Sequence, residues 1–396
     1  MTVAALAPRY APDYALSING STIPAPLRSA ITSVRYQDGR QAADRVEVSL
    51  ANPDLRWLRQ HIRGLGFSPA PTAVRIGPVG VSPIPRGLFD LDNALELQLG
   101  YTGSRLEKVF VGDITSLTMS FPGGGMPTMT LVAHDRLHRL AQGSAARGFG
   151  LLPDFLIAVI LSAENLLIPA IDPTITAASS IIAALNFVFG GTGRKQRGQS
   201  DLQLLAEIAN SYDADFWVEG DVVYLSRFIK EYTPRLTLTW GQSLLDFSPR
   251  ISTVGQVAGV SMKFTLREIP LDFLVTAFWD FDRETLGASV MPGMASGGGP
   301  PFSGPALTII DQPVASPADI TTSAIQAIST LRKKINNRLT GSATAIGDPA
   351  IRAGAVVRLE GMGPDFSGDY RVSAATHTID AGGYRTTFEV NKEILP

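Results

Sequence analysis

Four places in the sequence carry residue types that could do chemistry. His134 and His138 stand four apart, the spacing at which one helix face can hold a metal ion. The segment around them lacks the glutamate of the zinc-protease motif, and no third ligand stands out, so these two do not make a metal site. Gly190-Gly191-Thr192-Gly193-Arg194-Lys195 has the glycines of a phosphate loop but not its Gly-Lys-Ser/Thr ending or the strand that should precede it. Asp280 and Asp282 could work as the paired carboxylates of a hydrolase, yet two acids on the wet face of one strand explain them more simply. His377 lies in a run with strand alternation, where packing or hydrogen bonding is a simpler role than that of a base. Cysteine is absent, which removes disulfides, thiolate metal sites and a cysteine nucleophile, and no G-x-S-x-G occurs. The sequence therefore offers no catalytic, cofactor-binding or metal-ligating set, and the chain reads as a non-enzyme.

The elements that would position such residues are mostly strands. Between Gly347 and Lys392 three runs alternate apolar and polar residues: 355–359, 369–374 and 384–390. Period-two alternation buries one face and leaves the other to water or a partner. Turn residues separate the runs, which predicts an antiparallel meander. Upstream, 14–18, 31–36 and 45–50 alternate likewise and end at Asn19-Gly20, Asp38-Gly39 and Asn52-Pro53-Asp54. Runs at 90–101, 107–114 and 128–135 complete about six strands, enough for one small barrel or sandwich. The 38 glycines, 27 prolines and 18% charged residues suit a turn-rich β chain that buries surface against other subunits. A net charge of −2 gives no basic field for nucleic acid. The first residues lack a signal peptide's apolar core, so assembly in a bacterial cytoplasm is expected.

Residues 141–195 break the pattern. Phe155–Leu161 and Ile181–Phe189 are strongly apolar, but each is shorter than the roughly 20 residues a spanning helix needs. Two buried helices, or an apolar insertion covered by neighbours, are expected, with no membrane span. Ser200 and Gln203 have the spacing of a capping box, ahead of a helix with Leu202, Leu205, Ile208 and Ala209 on one face. A hairpin over 215–225 turns at Gly220-Asp221. Ser316-Pro317 begins a helix of about 316–340, with Arg332, Lys333, Lys334 and Arg338 forming a solvated basic face or, in the alternative, binding an acidic neighbour. The resulting plan is mainly β with a helical insertion: 1–140, an insertion and hairpin region at 141–244, and a second β domain at 245–396.

The last quarter also carries a resemblance. Gly347, Asp348, Pro349, Ile351, Gly354 and Val357, followed by Gly368, Tyr370, Val372, His377, Ile379, Gly383, Tyr384, Thr386 and Phe388, resemble the end of the phage late control protein D family. That family holds the central baseplate hub of contractile tails and injection systems. Gly100, Tyr101, Val109, Phe110, Gly112 and Ile114 match its first domain, as do Val48, Leu50, Asn52, Pro53, Asp54 and Trp57. Ser200, Asp201, Leu205, Ile208 and Ala209 are similar to the hub and to VgrG proteins. The resemblance implies two tube-like antiparallel β-barrels per chain and a homotrimer, so that six similar units stack on a six-fold inner tube while a three-fold end seats a trimeric spike. No needle or β-helix follows the last family strand before Pro396, so the spike is expected to be a separate protein. Gly100, Tyr101, Phe110, Gly112, Gly354, Gly368, Tyr370, Val372, His377, Tyr384, Thr386 and Phe388 are structural residues in this reading. The alternatives are a tail-associated cell-wall or polysaccharide hydrolase, and a tip protein that inserts residues 151–190 into a membrane.

Overall fold

The computed structural model describes residues 11–40, 42–52, 88–188, 193–226, 233–252, 259–265, 272–280, 285–293, 308–311 and 317–393. The first block contributes β1 (Pro12–Ile18), β2 (Ser21–Thr22), α1 (Ala25–Ala30), β3 (Ile31–Gly39), β4 (Arg45–Ala51), β5 (Ala94–Tyr101), β6 (Glu107–Ser120) and β7 (Thr128–Asp135). The insertion holds a 3-10 turn (Arg136–Ala141), β8 (Ala145–Gly148), α2 (Asp154–Glu164), β9 (Ile168–Ile171), α3 (Pro173–Val188), β10 (Lys195–Gln199), α4 (Asp201–Ser211), β11 (Asp215–Glu219) and β12 (Val222–Ser226). The remainder comprises β13 (Leu236–Thr239), β14 (Leu244–Ile251), β15 (Gly259–Thr265), β16 (Asp272–Asp280), β17 (Thr285–Gly293), β18 (Thr308–Asp311), α5 (Pro317–Asn336), β19 (Leu339–Ile346), β20 (Val356–Glu360), β21 (Gly368–Asp380) and β22 (Gly383–Asn391). The chain is mainly antiparallel β with a helical insertion, as its alternation predicts.

The two β blocks share one 13-stranded sheet, ordered β14-β19-β22-β21-β3-β4-β7-β6-β5-β1-β2, with β20 on β21 and β13 on β20. The meander of the last quarter is present as β20, β21 and β22, paired antiparallel. Its middle strand does the joining. The first residues of β21 pair with β20, and Ala374–Ile379 pair with β3 of the first block. Because β21 hands its edge to β3, the ladder passes from one block into the other, and no closed barrel forms among the described strands. Each block still keeps its own core. One gathers Leu16, Val34, Val48, Leu97, Phe110 and Leu131, and the other Leu238, Ala343, Val357, Tyr370, Val372 and Phe388.

The insertion has a third core, built on Leu137, Ile157, Leu161, Leu204, Leu205, Ile208 and Phe216. The Ser200 hydroxyl accepts from the Gln203 amide, and the Gln203 side chain accepts from the Ser200 amide, so the capping box starts α4 as its spacing predicts. The hairpin β11–β12 is present, with β9 added in parallel. Two expectations change. Helix α2 buries Ile157, Ala158 and Leu161, but α3 buries only Ile175 and Ser179 and presents Ile181, Phe187 and Val188 to solvent. The reason is length of cover: one face of α3 meets α2 and α5, and nothing described lies over the other. Among the described residues no helix is long and apolar enough to cross a membrane. The basic face of α5 is not wholly solvated either. Arg332 turns inward to Asp213 of the insertion, at 2.9 Å.

Candidate functional site

Five of the residues singled out in the sequence, Tyr101, Phe110, His377, Tyr384 and Thr386, converge where β3, β21 and β22 lie side by side. His377 of β21 stands directly opposite Tyr36 of β3 on one side and Thr386 of β22 on the other. Its ring stacks on Tyr36 at 5.6 Å. Nε2 lies 2.9 Å from the Ile351 carbonyl, which can only accept, so that nitrogen carries the proton. Nδ1 then accepts from the Tyr384 and Thr386 hydroxyls at 2.9 and 3.0 Å. Burial pushes His377 down to about 3, despite the opposing bond to Ile351, so the ring is neutral at ordinary pH. Both nitrogens are engaged within the protein, and only 1% of the residue is exposed.

Around it the segment Gly347–Gly354 closes on the first block. Tyr101, at the end of β5, donates to the Gly347 carbonyl at 2.8 Å. A Cβ on Gly347 would sit 2.1 Å from the Tyr384 ring, so only glycine lets the segment pass. Gly354 takes φ +84°, and its amide reaches the Val372 carbonyl at 2.8 Å. Between these glycines Arg352 donates to Asp38 at 3.2 Å and to the Tyr36 hydroxyl at 2.9 Å, and the Ala353 amide also reaches Asp38. Tyr36 in turn donates to Asp44 at 2.7 Å. Burial would lower the Arg352 guanidinium, but Tyr36, Asp38 and Asp44 raise it above its ordinary value, so it stays charged. Burial raises the carboxyls of Asp38 and Asp44.

Of the predicted motif residues, Tyr101, Phe110, His377, Tyr384 and Thr386 meet at this junction, with Phe110 edge-on to Tyr36 at 6.0 Å. Tyr370, Val372 and Phe388 instead fill the second core. Gly112 lets β6 approach β7, since a Cβ there would fall 2.1 Å from the His134 carbonyl oxygen. Gly100 lies in β5 and Gly368 opens β21. Sequence reasoning missed Tyr36, Asp38, Asp44 and Arg352. One signal was present: Val34, Tyr36 and Asp38 share the buried face of β3, and an acid in that register demands a partner.

The other chemistry-bearing residues do not assemble. His134 is on β7 and His138 in the 3-10 turn; they bond to Thr115 and to the Asp135 carbonyl, and no metal-binding group of acids and histidines occurs among the described residues. Gly190–Thr192 lie outside the described residues, and Arg194 forms a two-pronged pair with Asp154 at 2.6 and 2.7 Å. Asp280 is the last residue of β16, and Asp282 lies outside the described residues. Beside the junction, a cavity of about 330 Å³ is lined by Asp38, Asp44, Asp135 and Arg352 on one side and by the stacked Trp217 and Tyr224 of the insertion hairpin on the other. Arg40 of the first block pairs with Asp215 of the insertion at 2.6 Å, and Arg136 of the 3-10 turn lies between Asp113 of β6, at 3.8 Å, and Asp221 of the hairpin.

No protein-family model and no curated protein matches the sequence. Solved structures do match, along nearly the whole chain. The 43 kDa tail protein of prophage MuSo2 from Shewanella oneidensis is 12% identical at a TM-score of 0.58, covering 96% of this chain and 98% of that one. A tail protein from Neisseria meningitidis MC58 is 13% identical at 0.59, covering 97% of each. The E. coli c3393 protein, a component of the type VI secretion system with structural similarity to the T4 tail proteins gp27 and gp5, is 10% identical at 0.50, covering 96% and 80%. At such identities the likeness is one of fold: this chain folds as those tail proteins do, both β blocks and the insertion included.

Proposed function

We propose that the chain is a structural baseplate hub of a phage-like tail or contractile injection system. In this reading three copies surround the particle axis, join a six-fold inner tube to a separate three-fold spike, and contact other baseplate components. The observation that carries it is the end-to-end match with two tail proteins, 96–97% of this chain against 97–98% of theirs. A partial match would support only one shared block; one over nearly the whole of both chains supports a shared plan.

The physical work is cohesion. The 13-stranded sheet ends in β14 at one side and β1–β2 at the other. Leu245 and Ile251 on β14, and Trp240 just before it, are exposed. An uncovered edge with apolar side chains invites pairing, and a neighbouring subunit would cover it. Two β blocks per chain, tripled, answer the mismatch between six and three. Nothing in this role calls for catalysis, and no observation favours the hydrolase alternative. Light scattering on the purified chain tests the proposal: a trimer is expected, and a stable monomer at micromolar concentration contradicts it.

One observation favours a second reading. The exposed apolar face of α3 suits a tip that touches lipid without crossing it. Flotation with liposomes would carry such a protein upward; protein left in the soluble fraction removes this reading.

A further inference from the structure

Asp213 and Asp215 stand on either side of Ala214, where the chain passes from α4 into β11, and both are buried. They reach two arginines that come from different elements of the β body. Arg40, in the turn between β3 and β4, meets Asp215 at 2.6 Å. Arg332, on α5, meets Asp213 at 2.9 Å. A third pair lies at the root of the insertion, where Arg139 of the 3-10 turn donates twice to Asp113 of β6, at 2.9 and 2.6 Å.

Apolar contact across the same boundary is slight. The insertion core is separate from the cores of both β blocks, and from a fourth core that α5 forms with β15 and β16. Helices α3 and α4 do lie against α5, but none of their buried apolar residues joins that fourth core. Among the described residues, only Ala43 packs against the insertion core from outside it. Two cavities flank the contact and share Gly39. One, of about 330 Å³, lies between the hairpin β11–β12 and the clasp formed by Gly347–Gly354. The other, of about 960 Å³, lies between the Arg40, Asp215 and Arg332 side and the strands β14, β19 and β22.

We infer that the insertion, residues 136–226, is a lobe docked on the β body by charge pairs, and that it swings away as a folded unit when those pairs are weakened, opening both cavities. The inference does not depend on the hub reading, since it concerns two parts of one chain.

The balance of forces gives the reason. In a buried ion pair, the cost of stripping water from both charges offsets most of their attraction. Undocking returns Asp213 and Asp215 to water, so their hydration compensates for much of the lost pairing. A joint held in this way opens at a free energy well below that of global unfolding. Salt shifts the balance, because the Debye length falls from about 10 Å at ~0.1 M to about 3 Å at ~1 M. The lobe's own core is held by burial of hydrocarbon, which does not depend on that screening. The Arg139–Asp113 pair lies where the chain leaves β7 for the lobe, so it serves as the pivot.

The chain has no cysteine, so two introduced thiols are the only ones to label. Nitroxides at Arg197→Cys, exposed on the lobe, and Ser116→Cys, exposed on β6, report the separation of lobe and body by pulsed electron resonance. Dilution with unlabelled chain removes distances between copies. One narrow distance is expected at ~0.1 M sodium chloride, and at ~1 M a longer, broader population should grow about tenfold. Asp213→Asn with Asp215→Asn should show that population already at low salt. Asparagine also suits the left-handed backbone at 213, where φ is +51°. Should this double variant fail to fold, Arg40→Gln takes its place. Distances that salt leaves unchanged in the labelled parent overturn the inference, as does a variant that matches the parent at low salt. A longer distance accompanied by loss of helical circular dichroism also overturns it, because the lobe would then melt and not swing.

Discussion

Tyr36 and His377 are polar and almost wholly buried; Phe187 and Val188 are apolar and 76% and 70% exposed. The junction and the face of α3 thus invert the usual division between inside and outside, and they do so for different reasons. At the junction every polar group of His377 is engaged, to Ile351 on one side and to Tyr384 and Thr386 on the other. Such a network makes sense where register must be unique. A one-residue slip of β21 against β3 would turn His377 away from Tyr36 and strand the clasp. The α3 face has no such network. Residues 173–188 contain no charged side chain, so its outward half has only hydrocarbon and a few hydroxyls to offer. Cohesion between the two β blocks of the chain rests on the first region. The second adds little to the stability of an isolated chain and is available to something outside it.

The sharpest way to break this contrast is Arg352→Met. It leaves Asp38 and Asp44 without their cation, and the expected loss is about 3 kcal/mol in urea unfolding. That is the low end for a broken buried pair, because about a third of the Arg352 side chain still meets solvent. A loss no larger than that of a surface change would mean the junction is not a fastening.

His377→Leu comes next, at about 2 kcal/mol, since the Ile351 carbonyl and two hydroxyls lose their partner. It also carries a pH signature. The native value near 3 lies below the unfolded one of about 6.5, so the unfolded chain binds the extra proton between them. Stability from this residue is full above about pH 6.5 and drains away as pH falls toward 3. The Leu variant is expected to lack that acid limb. Ser200→Ala, inside the insertion, removes the capping hydroxyl of α4 and should cost about 1 kcal/mol. It tests whether the insertion unfolds with the sheet or before it: circular dichroism and tryptophan fluorescence should report one midpoint if the ion pairs Arg40–Asp215 and Arg332–Asp213 couple them. Phe187→Ser is the smallest change, expected within about 0.5 kcal/mol of wild type. A large loss there would show that the face is covered in the isolated chain.

Much of the architecture was legible in the sequence because strand alternation is local. The runs at 355–359, 369–374 and 384–390 are the strands β20, β21 and β22, and Ser200 with Gln203 made its capping box. What alternation does not encode is which edge a strand meets. That β21 would hand its edge to β3, some 340 residues earlier in the chain, depends on long-range packing, so the two blocks were read as separate barrels. The junction was half legible for the same reason. Tyr101, His377, Tyr384 and Thr386 stood out by motif, whereas Arg352 sits between motif positions and shows its partners only once the segment folds back on Asp38. The open half of α3 was not legible in the sequence, because hydropathy reports how much hydrocarbon a helix carries and not what covers it.

The central claim is that one such chain, with strands of both β blocks joined in one sheet, forms a third of a ring on the particle axis. A reconstruction of the assembled particle by electron cryo-microscopy tests it most directly. The account predicts three copies around the axis between tube and spike, with both blocks of each copy in the ring wall. Copies displaced from the axis, or only one block of each in the wall, would contradict it.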